Sequence, residues 1–213
     1  VDAKFMACKQ ALKAIQVLEK AGVDFAVLEN EPASGVQLDF LIGAANETKE
    51  QMTACAKVLD NYSTVVVYDP SDAKAIKQLY KEYGIETKAN VVTFTSFVAG
   101  LLRDGKLEPV NSGKAVVFQD PYQLSRDLEE TAPARDIISA FADLSELHLN
   151  SDQTVWAGNI LMKEWMSDVM VRVASDRIRN AKGVGADTIV TASVSEYAAL
   201  CAVEQSDVQI ITL

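Results

Sequence analysis

Apolar residues recur at helical spacing from the start of the chain, at Phe5, Cys8, Leu12, Ile15 and Leu18, and Gly22 closes this predicted helix before a short apolar strand over Phe25 to Glu29. A second helix over about Glu47 to Asp60 leads into Thr64-Val65-Val66-Val67-Tyr68. Such an unbroken apolar run suits a strand covered on both faces of a parallel sheet. Asp69-Pro70-Ser71-Asp72 turns into a helix ending near Gly84, and a strand over Val91 to Phe94 precedes a helix through Leu102. The polar link Arg103 to Gly113 holds Gly105, Pro109 and Gly113 and marks a lobe boundary. Beyond it the pattern predicts a strand over Ala115 to Phe118, a helix over Pro133 to Phe141 and a strand over Glu146 to Leu149. A long helix over Ile160 to Lys182, a strand over Thr188 to Thr191, a helix over Ser195 to Val203 and a strand over Val208 to Thr212 complete the chain.

Alternating strands and helices predict an α/β fold with parallel sheets. The halves also echo each other. Thr64-Val-Val-Val-Tyr-Asp-Pro-Ser-Asp72 parallels Thr188-Ile-Val-Thr-Ala-Ser-Val-Ser-Glu196, and Gly35 has a counterpart in Gly158, both at an offset of about 124 residues. The expected architecture is two Rossmann-like lobes, residues 1–105 and 106–213, produced by internal duplication and related by a pseudo-twofold axis. Sites in parallel α/β folds form at the carboxyl ends of strands, which places both turns and both glycine segments at the cleft between the lobes.

The 213 residues are 49% hydrophobic, ample for a packed core. The longest apolar stretch, Val91 to Leu102, is broken by Thr93, Thr95 and Ser96 and falls short of the roughly 20 residues that cross a bilayer, so no integral membrane protein is expected. A formal charge of −10 repels phosphate, and Arg172, Arg177 and Arg179 are interleaved with acids, which argues against nucleic acid and anionic membranes as partners. Cys8, Cys55 and Cys201 are odd in number and form no Cys-x-x-Cys pair; they read as core-facing thiols on helices of a cytoplasmic protein. The sequence opens on Val1 and carries no basic-then-apolar leader, so it is expected to be processed or cut from something longer.

Several short segments carry a family resemblance. Ala33-Ser34-Gly35, Asp69-Pro70-Ser71-Asp72, Gln119-Asp120-Pro121-Tyr122-Gln123-Leu124-Ser125-Arg126, Trp156-Ala157-Gly158 and Ser193-Val194-Ser195-Glu196 stand in the order of the motifs Cys-Cys-Gly, Cys-Pro-x-Cys and His-Asp-Pro-Cys-x-Leu-x-Arg. Leu18-Glu-Lys-Ala-Gly-Val-Asp-Phe25, Pro133-Ala134-Arg135 and Gly185-Ala186-Asp187 add framework matches. The chain thereby resembles, over nearly its whole length, the cysteine-rich domain of the heterodisulfide reductase catalytic subunit, the glycolate oxidase iron-sulfur subunit and the lactate utilisation protein A. The resemblance implies an oxidoreductase-type electron-transfer domain that holds [4Fe-4S] clusters. Here every cluster-ligating cysteine is replaced: the first site would offer Ala33, Ser34, Asp69 and Asp72, the second Tyr122, Trp156, Ala157, Ser193 and Glu196. A cluster is normally held by about four thiolates, so no cofactor is expected on this chain, and whether it is itself an enzyme stays open.

The remaining side chains admit two readings each. Asp69 and Asp72 flank a proline turn, where aspartate caps the next helix, although paired carboxylates at strand ends also suit a hard cation or a cationic ligand. Glu196 joins Asp69 and Asp72 in that cation reading, or simply falls in a first helical turn, where negative charge suits the helix dipole. Arg126 and Arg135 would bind an anionic group in the cleft or pair with a nearby acid. His148, the single histidine, falls on a predicted strand without partners for a triad or zinc site and reads as structural. Gly35 and Gly158 read as tight backbone turns. Three functions follow. The first is a degenerate heterodisulfide-reductase-like assembly or docking unit, met by a flavoprotein or ferredoxin-type subunit. The second is a small-molecule-binding protein or enzyme reusing the emptied cleft, lined by Asp69, Asp72, Tyr122, Arg126, Trp156 and Glu196. The third is a structural remnant with the cleft filled by side chains.

Overall fold

The computed structural model describes residues 7–28, 30–203 and 207–213; Phe5 and Glu29, counted above into the first helix and strand, lie outside them. The first half runs α1 (Cys8–Lys20), α2 (Val36–Ile42), α3 (Asn46–Leu59), β1 (Thr64–Val67), α4 (Pro70–Lys74), β2 (Asn90–Thr93) and α5 (Phe94–Arg103). A π-helical turn, Ala75–Leu79, carries α4 on into Tyr80–Glu82. The second half runs β3 (Ala115–Gln119), a π-helical turn (Gln123–Asp127), α6 (Ala132–Phe141), β4 (Asp143–Ser145), α7 (Ile160–Lys163), α8 (Ser167–Gly183), β5 (Thr188–Thr191), α9 (Val194–Cys201) and β6 (Gln209–Thr212).

All strand pairs are parallel. β1 and β2 form one sheet, with Thr64 opposite Asn90; the other sheet has the order β4-β3-β5-β6, with Val116 opposite both Leu144 and Thr188. This is an α/β fold of two Rossmann-like lobes. In the second lobe the chain order reverses between β3 and β5, and the crevice outside the carboxyl ends of such a strand pair is where parallel sheets place ligands.

The strands are continuously apolar because both faces are covered. In the second lobe Val117 and Ile189 pack against Ala174 and Ile178 of α8, while Val116, Phe118 and Val190 pack against Ala134 and Ile138 of α6. In the first lobe Val66 packs with Leu18 and Phe94, and Val65 and Val67 pack with Met52 and Ile76. Each fully buried side chain of this size contributes about 1.5–3 kcal/mol.

The halves repeat one sequence of elements. The run α1, residues 23–28, α2, α3, β1, α4, β2 corresponds to α6, β4, α7, α8, β5, α9, β6. Asp69 and Ser193 both cap the helix after the strand, accepting from Ser71 N and Glu196 N. Gly35 and Gly158 both sit at positive φ, 85° and 121°. A Cβ on Gly158 would lie 2.9 Å from Ala199 Cβ, an atom on a rigid helix, so Gly158→Ala is expected to cost at least about 2 kcal/mol in urea unfolding. Gly22→Ala, at φ 66° but with nothing within 4 Å, is the control and should cost less.

Four expectations need correction. Residues 23–28 form no strand. The strand expected over Glu146 to Leu149 lies instead at Asp143–Ser145, and Leu147 enters the core from a loop. The single helix expected over Ile160 to Lys182 is divided at Glu164 to Met166: Asn159 caps α7 through Leu161 N and Met162 N, and Ser167-Asp168 starts α8 afresh with residue types that favour helix N-termini. The helix Val36–Ile42 was not predicted.

Candidate functional site

The turns after β1 and β5 meet. Asp69 accepts from Ser71 N with one oxygen, at 2.8 Å, and from Val194 N, the first residue of α9, with the other, at 3.1 Å. One carboxylate thus serves two helix N-termini from different lobes, where the helix dipoles favour it. Lys74 pairs with Asp127 at 2.7 Å, Gln123 Nε2 donates to Ser71 Oγ at 3.2 Å, and Thr93 Oγ1 donates to the Glu130 carboxylate at 2.7 Å, with Thr95 bonded to the same carboxylate.

Above these contacts lies a crevice walled by Val67, Tyr68, Thr93 and Phe94 from the first lobe and Leu124 and Ala192 from the second. It holds about 260 Å³ of space between atoms but is narrow, with interior room for about one water molecule. The buried Tyr68 hydroxyl interacts weakly with Thr212 and has no well-formed hydrogen bond; burial pushes its pKa up.

Beneath the second lobe's strand ends a polar network is sealed from solvent. Gln119, fully buried, accepts from Arg177 Nε at 2.6 Å and donates to Val155 O at 2.9 Å and to Glu196 Oε1 at 3.3 Å. Ala157 N donates to the same Glu196 oxygen at 3.1 Å, and Thr191 Oγ1 lies 3.5 Å from the other. Burial pushes the Glu196 carboxyl up to about 8, against the Ala157, Gln119, Arg177 and Thr191 groups that favour its anion. Burial likewise lowers the Arg177 pKa, opposed by Glu196 and Asp120. Arg177 also donates to His148 O at 3.0 Å. The turn presenting that carbonyl holds Leu149 at φ 56° and Ser151 at φ 55°, conformations that cost an L residue about 1–3 kcal/mol each and persist only when surrounding bonds enforce them.

The residues singled out from sequence fall into separate clusters. Ser34 donates to Asp72 at 2.5 Å, and Ala33 O accepts from Gln51 at 3.0 Å. Tyr122, its hydroxyl pushed up chiefly by burial, lies between Lys74 and Arg126, which sit 5.9 and 5.5 Å from its ring centroid. Trp156 is half-buried, while Ala157, Ser193 and Glu196 are buried in and around the network. Arg135 is committed: it forks onto Asp120 at 2.8 and 2.9 Å, bonds Glu146 at 2.8 and 2.9 Å and donates to Thr131 O, so the anion-binding expectation is replaced by an ion-pair cluster. His148 occupies an exposed bend, not a strand. Of the cysteines only Cys55 faces the core; Cys8 and Cys201 are exposed.

Sequence reading passed over Gln119, Arg177, Thr191, Thr93, Thr95 and Glu130. One signal was present. Arg177 falls on the stripe Met170, Ala174, Ile178, Ala181 that α8 turns inward, and a charge on a buried stripe demands partners.

The same geometry accounts for the motifs quoted earlier without any cluster. Asp120 of the Gln119-Asp120-Pro121 segment is bound by Arg135 of Pro133-Ala134-Arg135, so two framework matches form one ion pair between a buried carboxylate and a half-buried guanidinium. Of the positions compared above with cluster ligands, Ser34 and Asp72 bond each other and Glu196 belongs to the buried network. Among the described residues no group of three or more His, Cys, Asp or Glu side chains is placed to hold a metal. No described helix is long and apolar enough to cross a membrane.

No protein-family model matches the sequence, and no curated protein matches it significantly. Among solved structures the chain is similar to glutamate racemase isoform RacE1 from Bacillus anthracis, with 9% identity, 93% of this chain and 71% of that chain covered and a TM-score of 0.38. It is also similar to an aspartate racemase homologue from Pyrococcus horikoshii OT3, with 8% identity, 96% and 88% coverage and a TM-score of 0.35. Likeness at this level assigns no activity. These two structures are a racemase and a racemase homologue, neither a heterodisulfide-reductase-type domain, so the cysteine-rich, iron-sulfur resemblance is corrected. With it go the degenerate electron-transfer docking unit and the basis for a flavoprotein or ferredoxin-type partner.

Proposed function

We propose that this protein binds a small molecule, as ligand or substrate, in the crevice between its two lobes. The observation that carries the reading is convergence: the carboxyl ends of β1 and β2, the residues that follow β5 and β6 and the first turns of α4 and α5 meet at one crevice, whose walls come from both lobes. Parallel sheets bind ligands at this end of their strands. An apolar lining with a few hydroxyls, from Tyr68, Thr93 and Thr95, is the usual composition of a small-molecule pocket, and Tyr68 keeps hydrogen-bonding capacity unspent. As it stands the crevice has interior room for about one water molecule, so the ligand must be compact and the crevice must widen to admit it. Entry requires the walls to part, at the cost of contacts such as Lys74 to Asp127 and Gln123 to Ser71. The proposed binding uses no metal or cofactor, and the free thiols favour a cytoplasmic setting.

The test is a nuclear magnetic resonance screen of amino acids, hydroxy acids and small amines against labelled protein. A ligand should shift the Thr93, Thr95 and Ala192 amides, and Ala192→Leu, which fills the crevice, should abolish those shifts while the remaining spectrum stays native. Shifts that survive Ala192→Leu, or no shifts at these amides with any compound, would rule the reading out.

A further inference from the structure

The two halves carry the same elements except at one place. In the second lobe β3 lies between β4 and β5 and, among the described residues, is the only ladder partner of β4. The first lobe has counterparts of β4, β5 and β6, in residues 23–28, β1 and β2, but among the described residues it has no counterpart of β3.

Three observations share this one cause. Among the described residues β1 pairs with β2 alone, so its other edge presents unpaired backbone groups. Its counterpart β5 is buried at every position, whereas in β1 Thr64 is exposed and Val65, Val66 and Val67 are only half-buried. A run of valines suits a central strand of a covered parallel sheet, not an open edge. Residues 23–28, finally, include the apolar run Phe25-Ala26-Val27-Leu28 yet join no ladder, and Val27 is 55% exposed. The duplication explains why: the strand in that position pairs only with the one that is missing.

We propose that the open edge of β1 is an acceptor for a further parallel β-strand, supplied by polypeptide entering α1 from its N-terminal side, as β3 leads into α6. Its chemistry follows from β3, which gives Val116 and Phe118 to one core layer and Val117 to the other. The waiting layers are equally apolar: Val66, Tyr68 and Phe25 on one face, Val65 and Val67 on the other. The occupant is therefore an uncharged, β-branched or aromatic strand of about four or five residues that completes the sheet and draws residues 23–28 onto its far side.

The proposal is tested by joining the sequence of β3, Ala-Val-Val-Phe-Gln, ahead of the chain through a polar linker of about five residues, which with the seven residues before α1 matches the twelve that separate β3 from α6. Amide hydrogen exchange is then followed with and without the added strand. The β1 amides not bonded to β2, and those of residues 25–28, should gain about tenfold or more in protection. A strand with lysine in place of its two valines should give none. Unchanged exchange with the apolar strand, or equal protection from the lysine version, overturns the proposal. So does protection in the unextended chain that rises with protein concentration alongside dimer formation in sedimentation, since that would show the edge taken by a second copy.

Discussion

Arg177→Met is expected to lower the unfolding free energy by about 3 kcal/mol or more, a large share of the stability of a domain this size. Methionine keeps much of the arginine's apolar length but none of its donors. The Gln119 carbonyl oxygen, at 2.6 Å, would be left buried and unpaired, which costs about 1–3 kcal/mol, and the His148 carbonyl, in a more exposed bend, would lose its 3.0 Å bond. The strained turn at Leu149 and Ser151 would lose one of the bonds that hold it, the Ser151 N bond to Asp120 remaining. Urea unfolding at fixed pH measures the loss. Pairing the change with Gln119→Leu removes one orphaned acceptor, so the double variant should be more stable than the sum of the single losses predicts. A loss below about 1 kcal/mol for Arg177→Met would show that water enters the site and that the network is not sealed.

The second large effect is on pH dependence. Burial holds the Glu196 carboxyl up to about 8, whereas an unfolded glutamate titrates near its model value of 4.5. Between these values the unfolded chain has released its proton and the folded chain retains it. The unfolded state thus binds fewer protons, and stability must fall as pH rises through this window, levelling off above about 8. The total change is of the order of a few kcal/mol. Glu196→Gln removes the titrating group, so wild-type stability minus variant stability should decline from pH 5 to pH 8. The difference, and not the absolute value, is the diagnostic, because glutamine also alters the bonds to Ala157 and Thr191. A flat difference across this range would mean that Glu196 is ionised throughout and that Arg177 pairs with it more strongly than the geometry indicates.

These effects centre on residues whose local sequence gives little warning of them. Asp72 and Glu196 occupy the same position in duplicated turns, three residues after a capping Asp69 or Ser193. Sequence assigns both to a first helical turn and stops there. Asp72 meets the Ser34 hydroxyl in a half-buried setting, while Glu196 lies under Gln119, Ala157 and Arg177, groups brought from other strands, loops and helices. For Arg135 the sequence leaves anion binding and pairing with an acid both open, and only the approach of Asp120 and Glu146 decides for the pair. The motif resemblance erred for a related reason: Asp120-Pro121 and Pro133-Ala134-Arg135 are explained by the ion pair they form with each other, which linear order does not display.

What the sequence alone determined is the local and periodic part of the protein. The valine run of β1, the apolar strands β3 and β5, the cap at Asp69, the turns at Gly35 and Gly158 and the repeat that relates the halves all rest on contacts within a few residues or on a period of apolar positions. Only the tertiary structure decided which strands find neighbours, which carboxyl loses its water, and which side chains meet across the crevice. Residues 23–28 carry the pattern of a strand, but a ladder requires a second chain segment at hydrogen-bonding distance, and no period within one segment can supply it.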